Sequence, residues 1–524
     1  MPVSRREFLN LAAVAGATPL LAPWLRLQPG VEGRTVFLHG VASGDPLADR
    51  VMLWTRVSGA APAARPRVRW EVARDDGFRQ IVRRGELTTG RDRDFTVKVD
   101  VTGLTPGTRY HYRFQAVGER SRTGRTRTLP GKGTTRVSLA VASCSNLPQG
   151  YFNAYRGIAN RADLDAVLHL GDYYYEYANA RYGDGTRFGR IPAPNKEITS
   201  LEDYRTRHAQ YKTDPDLQDA HRLHPWITVW DDHEITNNTW RDGAQNHNPD
   251  QGEGDWTARK HAAIRAYYEW MPIREQGAPS QARIYRTFRF GGLADLIMLD
   301  TRVVARDQQA AQRDQLGVIE DPRRSLLGRA QEAWLFGELQ KSRARGARWQ
   351  VLGQQVMFAP MAPWGQPSGN TDAWDGYRPA RDRVVDFLET HDMRNAVVLT
   401  GDVHSSWAYD IAKDPWGAYD AGTGRGTRAI ELVTPSITSP SGWNAATAAD
   451  RLRQLKAARP HLRWADGLSH GYVVLNLERD ALQSDWFGVP TIESRTSEEH
   501  FVKGFTSEYN NPHLVEASSP APSA

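Results

Sequence analysis

The chain is short of cysteine and of lysine. Cys144 is the one cysteine in 524 residues, which excludes an internal disulfide framework and any zinc or iron–sulfur site built from several thiolates. Only nine of the 67 basic residues are lysine, and 61 acidic residues are interleaved with the bases, leaving a formal charge of +6. That balance lacks the concentrated basic footprint of a nucleic-acid binder, so no nucleic acid is expected as a specific partner. No fixed-period repeat is apparent. Long apolar runs are also missing: the longest, Leu11–Leu21, is broken by Gly16 and Pro19. It falls short of the ~20 residues a membrane span needs. What is present is ordinary globular material, 40% hydrophobic and 24% charged, and it is long enough to bury a large core without covalent staples.

The first segment reads Ser4-Arg5-Arg6-Glu7-Phe8-Leu9 before the short apolar run. Paired arginines ahead of Phe-Leu and a moderately apolar stretch resemble a twin-arginine export signal. Residues 1–32 are read as that signal. The twin-arginine export machinery becomes an expected partner, and a periplasmic or secreted location follows. A lone thiol in an exported protein then calls for a reason, either burial or a reactive or metal-bound sulfur.

From 33 to 130 the text reads as short alternating strands such as Val51–Thr55, Val68–Val72, Phe95–Val99 and Tyr110–Phe114. This pattern predicts a small β-sandwich that looks fibronectin-like and carries no chemistry of its own, followed by a basic linker near Ser121–Thr135. From 135 to 510 short apolar runs alternate with helical stretches. Val137–Ser143, Ala166–Leu170, Trp226–Trp230, Leu296–Leu299, Trp349–Leu352 and Ala396–Thr400 are the strands, and Arg259–Glu269, Ala330–Arg345 and Arg381–Thr390 the helices. The fold class is therefore α/β, a layered domain with its site at strand ends. Residues 511–524, small and proline-bearing, are expected to be a disordered tail.

Potential ligands gather after the strands. Ser143-Cys144-Ser145-Asn146 follows the first, Gly171-Asp172-Tyr173-Tyr174-Tyr175 the second, Asp231-Asp232-His233-Glu234 the third, and Gly401-Asp402-Val403-His404 a late one. One Asp-His pair would be explained by a helix cap or a satisfied core histidine. Four clusters after four strands are not readily produced by structural demands. Carboxylates, a phenol, imidazole and one thiol suit iron beside an oxygen-preferring cation. Two such cations can clamp a phosphoryl group.

These blocks resemble those of calcineurin-like metallophosphoesterases, which read GDxxY, GNH[DE] and GHxH. The closer likeness is to the alkaline phosphatase D family, in which carboxylates stand at Asp232 and Asp402 where other members hold amide and imidazole. The segments Val41–Pro46, Ser143–Asn146, Trp230–Glu234, Leu299–Arg302 and Gly401–Ser406 match it in order. The resemblance implies a two-sheet metallophosphoesterase α/β sandwich behind the small leading β-sandwich, and Fe3+ and Ca2+ as metals. It places Cys144, Tyr175 and His404 on iron, Asp172 between the ions, and Asp232 and Asp402 on the harder ion. It also implies that His233, Asn146 and Arg302 touch the phosphate or the leaving oxygen. The expected function is that of a monomeric exported phosphoesterase, which uses metal-activated water on phosphate monoesters or diesters. A phospholipase D-type activity is the alternative within the class. A non-catalytic surface- or carbohydrate-binding protein with structural metals is the alternative from another class.

Overall fold

A computed structural model describes residues 36–275 and 283–523. The expected export signal lies outside the described residues. Two large sheets dominate. The first has ten strands in the spatial order Asn511–Ala517, His500–Glu508, Ala481–Gly488, Gly471–Glu478, Arg136–Ala142, Ala166–His169, Pro225–Thr228, Val41–Gly44, Arg50–Arg56 and Thr96–Thr102. The second runs Arg286–Phe290, Ala294–Met298, Trp349–Gly353, Ala396–Thr400, Thr427–Val433, Ser406–Ala412 and Leu462–Asp466.

At the centre of each sheet the strands are parallel and in step. His169 pairs with Ala142 and with Thr228 in one sheet, and Gly353 pairs with Met298 and Leu399 in the other. Parallel register brings the carboxyl ends of these strands to one edge, where the ligand-bearing turns emerge. A core containing Leu139, Val167, Ile227, Leu296, Val351, Val397 and Leu475 spans both sheets. Helices Gly328–Ala344 and Arg378–Thr390 cover the second sheet through Leu335, Leu339, Val384 and Leu388. Each fully buried side chain of this size contributes about 1.5–3 kcal/mol.

The amino-terminal region packs one of its β layers into the larger sheet. It forms two layers. Strands Arg67–Ala73, Ile81–Thr88, Arg109–Ala116, Glu119–Arg120 and Gly124–Arg127 make a five-stranded sheet. Val68, Val72, Tyr110 and Phe114 of that sheet pack on Val41, Leu53 and Val97. The facing layer is the end of the ten-stranded sheet itself, because Val41–Gly44 pairs in parallel with Pro225–Thr228. The junction is latched by Asp45, whose buried carboxylate accepts from the Arg274 backbone at 2.7 Å and from the Arg286 guanidinium at 2.6 Å. The stretch read as a linker contains a strand, Gly124–Arg127. The tail expected to be disordered is corrected too: Asn511–Ala517 pairs antiparallel with His500–Glu508, and Leu514 is fully buried. Alternating Leu514 with polar neighbours is an edge-strand pattern that small and polar composition concealed.

Behind the sheet carrying the site lies a set of histidines sealed from water. His39, His169, His208, His221 and His224 are buried, and Lys212 is buried among them with its Nζ 3.1 Å from His221 Nε2. Burial lowers their imidazole pKa values well below the usual 6.5, His169 and His224 to about 3, and Lys212 adds to the shift in His39, His208 and His221. The folded state therefore refuses protons that the unfolded chain accepts. Stability is full above pH 6.5 and falls as pH drops below it, by about 1.4 kcal/mol per pH unit for each such histidine. His208→Gln is expected to lose less urea resistance between pH 7 and 5 than the parent chain, a comparison in which the buried carboxylates with raised pKa values, which act in the opposite direction, cancel. Equal loss in both would show that His208 takes up protons while folded.

Candidate metal centre

The turns after the strands carry strain where they present ligands. Cys144, Asp172, Asp402 and His404 sit at φ values of 64°, 54°, 63° and 55°. Non-glycine residues rarely adopt that region, and each instance costs on the order of 1–3 kcal/mol. Gly171, at φ 108°, must be glycine for a second reason, since a Cβ there would lie 2.3 Å from the backbone nitrogen of Asp231. Glu234 ties the two turns together. One carboxylate oxygen accepts from the Asp172 and Asp231 amides at 3.1 and 2.8 Å, and the other accepts from the Tyr173 amide at 2.6 Å.

Three overlapping groups result. Cys144, Asp172 and His404 bring ligand atoms within 4.8 Å of one another, as do Asp172, Asp232 and His233, and Asp231, Asp232 and Asp402. Asp172 belongs to two groups, and so does Asp232. The Tyr175 hydroxyl joins the first group, 3.0 Å from both Asp172 Oδ2 and His404 Nε2. His404 Nδ1 faces the Pro440 carbonyl at 3.0 Å, which leaves Nε2 as its ligand atom.

The electrostatics are those of a cation site. Asp172 Oδ1, Asp231 Oδ2 and Asp232 Oδ1 are buried with no hydrogen-bond partner. Burial raises the pKa of Asp231 and Asp232, and that of Asp402 to about 7, with the neighbouring carboxylates adding to the rise. Burial and then Asp172 push the Cys144 thiol and the Tyr175 phenol well above their usual ranges. Unsatisfied buried carboxylate oxygens beside a thiol and a phenol are what bound cations would resolve, since a coordinated cation favours every deprotonated form. The donors present thus fit a soft-plus-hard pair of sites.

The structure brings Cys144, Asp172, Tyr175, Asp232, Asp402 and His404 together in space, while their metal roles rest on the donor chemistry. His233 stands closer to the metal-ligating groups than expected. Its Nδ1 is 2.7 Å from Glu176 Oε2, and Thr236, Asn237 and Asn246 hold that carboxylate in turn. Two expected phosphate contacts are displaced. Asn146 is buried, and its amide donates to the Tyr182 carbonyl at 2.6 Å. Arg302 has no exposed surface: Nε bonds Asp231, one terminal nitrogen bonds Asp372 at 2.7 Å, and the other bonds Asp402 at 2.5 Å. Asp231 and Glu176 fall in the strand-end clusters of the sequence without an assigned role, and Asp372 stands outside every motif. Asp231 could have been suspected from its place beside Asp232, whereas Asp372 lies in a long loop with no pattern.

A cavity of about 160 Å³ opens onto these groups, lined by Asp172, Tyr177, Tyr182, Asp232, His233, Asn237, Asn238, Asp402 and His404. Such a strand-end cleft with clustered acids, imidazoles and a thiol marks a metal-dependent hydrolase. The comparisons make the class specific. Residues 139–486 match the PhoD-like phosphatase family and residues 26–130 its N-terminal domain, so the chain belongs to the PhoD-like phosphatases. It is 39% identical over 474 residues to alkaline phosphatase D of Bacillus subtilis (strain 168), covering 87% of this chain and 78% of that protein. A solved structure described as that of PhoD superposes with a TM-score of 0.84 at 36% identity, covering 93% of both chains. The chain is a hydrolase acting on phosphoric esters, and the non-catalytic alternative falls. Among the described residues no helix is long and apolar enough to cross a membrane.

Proposed function

We propose that the chain is an exported, monomeric phosphoesterase acting on phosphate monoesters and diesters outside the cytoplasm. The three overlapping ligand groups with orphaned carboxylate oxygens support the metal-dependent chemistry, and the paired arginines of the leading segment support export. Cys144, Tyr175, His404 and Asp172 would hold iron(III), and Asp172, Asp232 and Asp402 would hold calcium, with Asp231 able to add an oxygen ligand. When bound, the cations supply Lewis acidity toward phosphoryl oxygens and lower the pKa of water.

The chain's own groups do the rest. Glu176 fixes the His233 ring so that Nε2 faces the cavity. The Glu176 carboxylate at Nδ1 favours the charged imidazole, which places His233 to hand a proton to the departing oxygen. Arg302 locks Asp231, Asp372 and Asp402 into one geometry and so orients ligands without touching substrate.

The test is metal analysis of purified protein, followed by treatment with a calcium-selective chelator and add-back. The expected result is stoichiometric iron, loss of nitrophenyl phosphate hydrolysis on chelation, and recovery with calcium but not zinc, because oxygen-only ligands suit calcium. The variant Cys144→Ala is expected to lose the iron while retaining its fold. Recovery with zinc alone, or full iron in Cys144→Ala, would refute these assignments.

A further inference from the structure

Tyr182 was not singled out by any motif, yet it lines the cavity. Its loop is pinned by Asn146, whose amide donates to the Tyr182 carbonyl, and Arg190 anchors the loop's far end on the Leu147 carbonyl at 3.0 Å and on Asp214 at 2.9 Å. The ring lies parallel to the His233 imidazole, 14° between planes and 6.2 Å between centres, and Tyr177 flanks it at 5.7 Å.

Among the described residues the hydroxyl has one hydrogen-bond partner, His404 Nδ1, at 3.1 Å. That nitrogen also faces the Pro440 carbonyl at 3.0 Å. A carbonyl oxygen only accepts, so Nδ1 must carry a hydrogen, whether the ring is neutral or charged. Toward Nδ1–H the Tyr182 oxygen is therefore an acceptor. Its own hydrogen has no acceptor among the described residues, and the residue lines the cavity that holds Asp172, Asp232 and His233.

Of the other cavity-lining residues three are carboxylates, and the Asn237 and Asn238 amides each donate to Gln245, while the Arg302 guanidinium is spent on Asp231, Asp372 and Asp402. His233 and Tyr177 are the donors that remain beside Tyr182. We propose that Tyr182 is a catalytic residue whose hydroxyl donates a hydrogen bond to a phosphate oxygen of the bound ester. The proposal rests on the phosphoesterase reading of this cavity and adds a contact that reading does not contain. A donor held in place by its own acceptor bond to His404 needs no reorganisation when the substrate arrives, which is the condition under which such donors act most strongly.

The experiment compares wild type with Tyr182→Phe, which keeps the ring and removes only the hydroxyl. It reads metal content by elemental analysis, thermal midpoint, binding of inorganic phosphate by calorimetry, and kcat/KM with p-nitrophenyl phosphate and bis-p-nitrophenyl phosphate. The expected result is unchanged metal content and thermal midpoint, with phosphate binding and kcat/KM both lower by about 10- to 100-fold, the range for losing a hydrogen bond to a charged group. Unchanged phosphate binding and kcat/KM would overturn the proposal. Metal loss in the variant would also overturn it, by assigning the hydroxyl to holding His404. A wild type inactive on both esters would sink the phosphoesterase reading of the cavity instead, and the calorimetric comparison would still decide the role of Tyr182.

Discussion

Asp172→Asn is expected to lower kcat/KM by at least about a hundredfold, a barrier increase of ~2.7 kcal/mol. Asp172 is shared between the group containing Cys144 and His404 and the group containing Asp232 and His233. Its carboxylate can neutralise charge in both directions, and one of its oxygens is buried with nothing to bind. The amide keeps the shape of the side chain but removes that charge, so both ligand groups weaken together. Parallel kinetics and metal analysis check the prediction. The idea fails if the variant keeps two metals per chain and a tenth or more of the wild-type rate.

Arg302→Met is expected to be the most destabilising single change near the site. The guanidinium is fully buried and answers Asp231, Asp372 and Asp402, with Asp232 3.8 Å away. Removing one partner of a buried charge network leaves uncompensated carboxylates, which typically costs about 3–5 kcal/mol. Urea unfolding of metal-free protein measures this directly, and calcium should restore part of the loss by replacing the missing positive charge. A difference under about 1 kcal/mol would mean that the carboxylates protonate at little cost when the arginine is gone. The same reasoning bars lysine from this position, because a single ammonium cannot match three carboxylates arranged around a planar fork.

What could be read from the sequence was whatever is local. The strands preceding Cys144, Asp172, Asp232 and Asp402 were legible because each is a short apolar run that ends in a polar cluster, and a parallel sheet necessarily gathers such ends. Strand order was not legible. Nothing within Val41–Gly44 records that its neighbour is Pro225–Thr228, some 180 residues later, so the sharing of a sheet between the leading region and the rest could not be read. Arg302 misled because an arginine after a strand is equally apt for phosphate and for carboxylates. Only the positions of Asp231, Asp372 and Asp402, brought in from three distant segments, decide between them. Tyr182 and Asp372 were invisible because loop residues near a site carry no periodicity to mark them.

The shared ten-stranded sheet has a practical consequence for anyone dividing the chain. A cut at about residue 130 would look harmless on a domain diagram, since a recognised family boundary lies there. It would in fact strip Val41–Gly44 from Pro225–Thr228 and remove the carboxylate that Arg286 is buried against. The truncated protein would expose an unpaired strand directly beneath the turn bearing Asp231, Asp232 and His233, a ready template for self-association. The leading region is therefore a wall of the catalytic unit rather than an appendage to it, and fragments lacking it are poor material for judging what the enzyme can do.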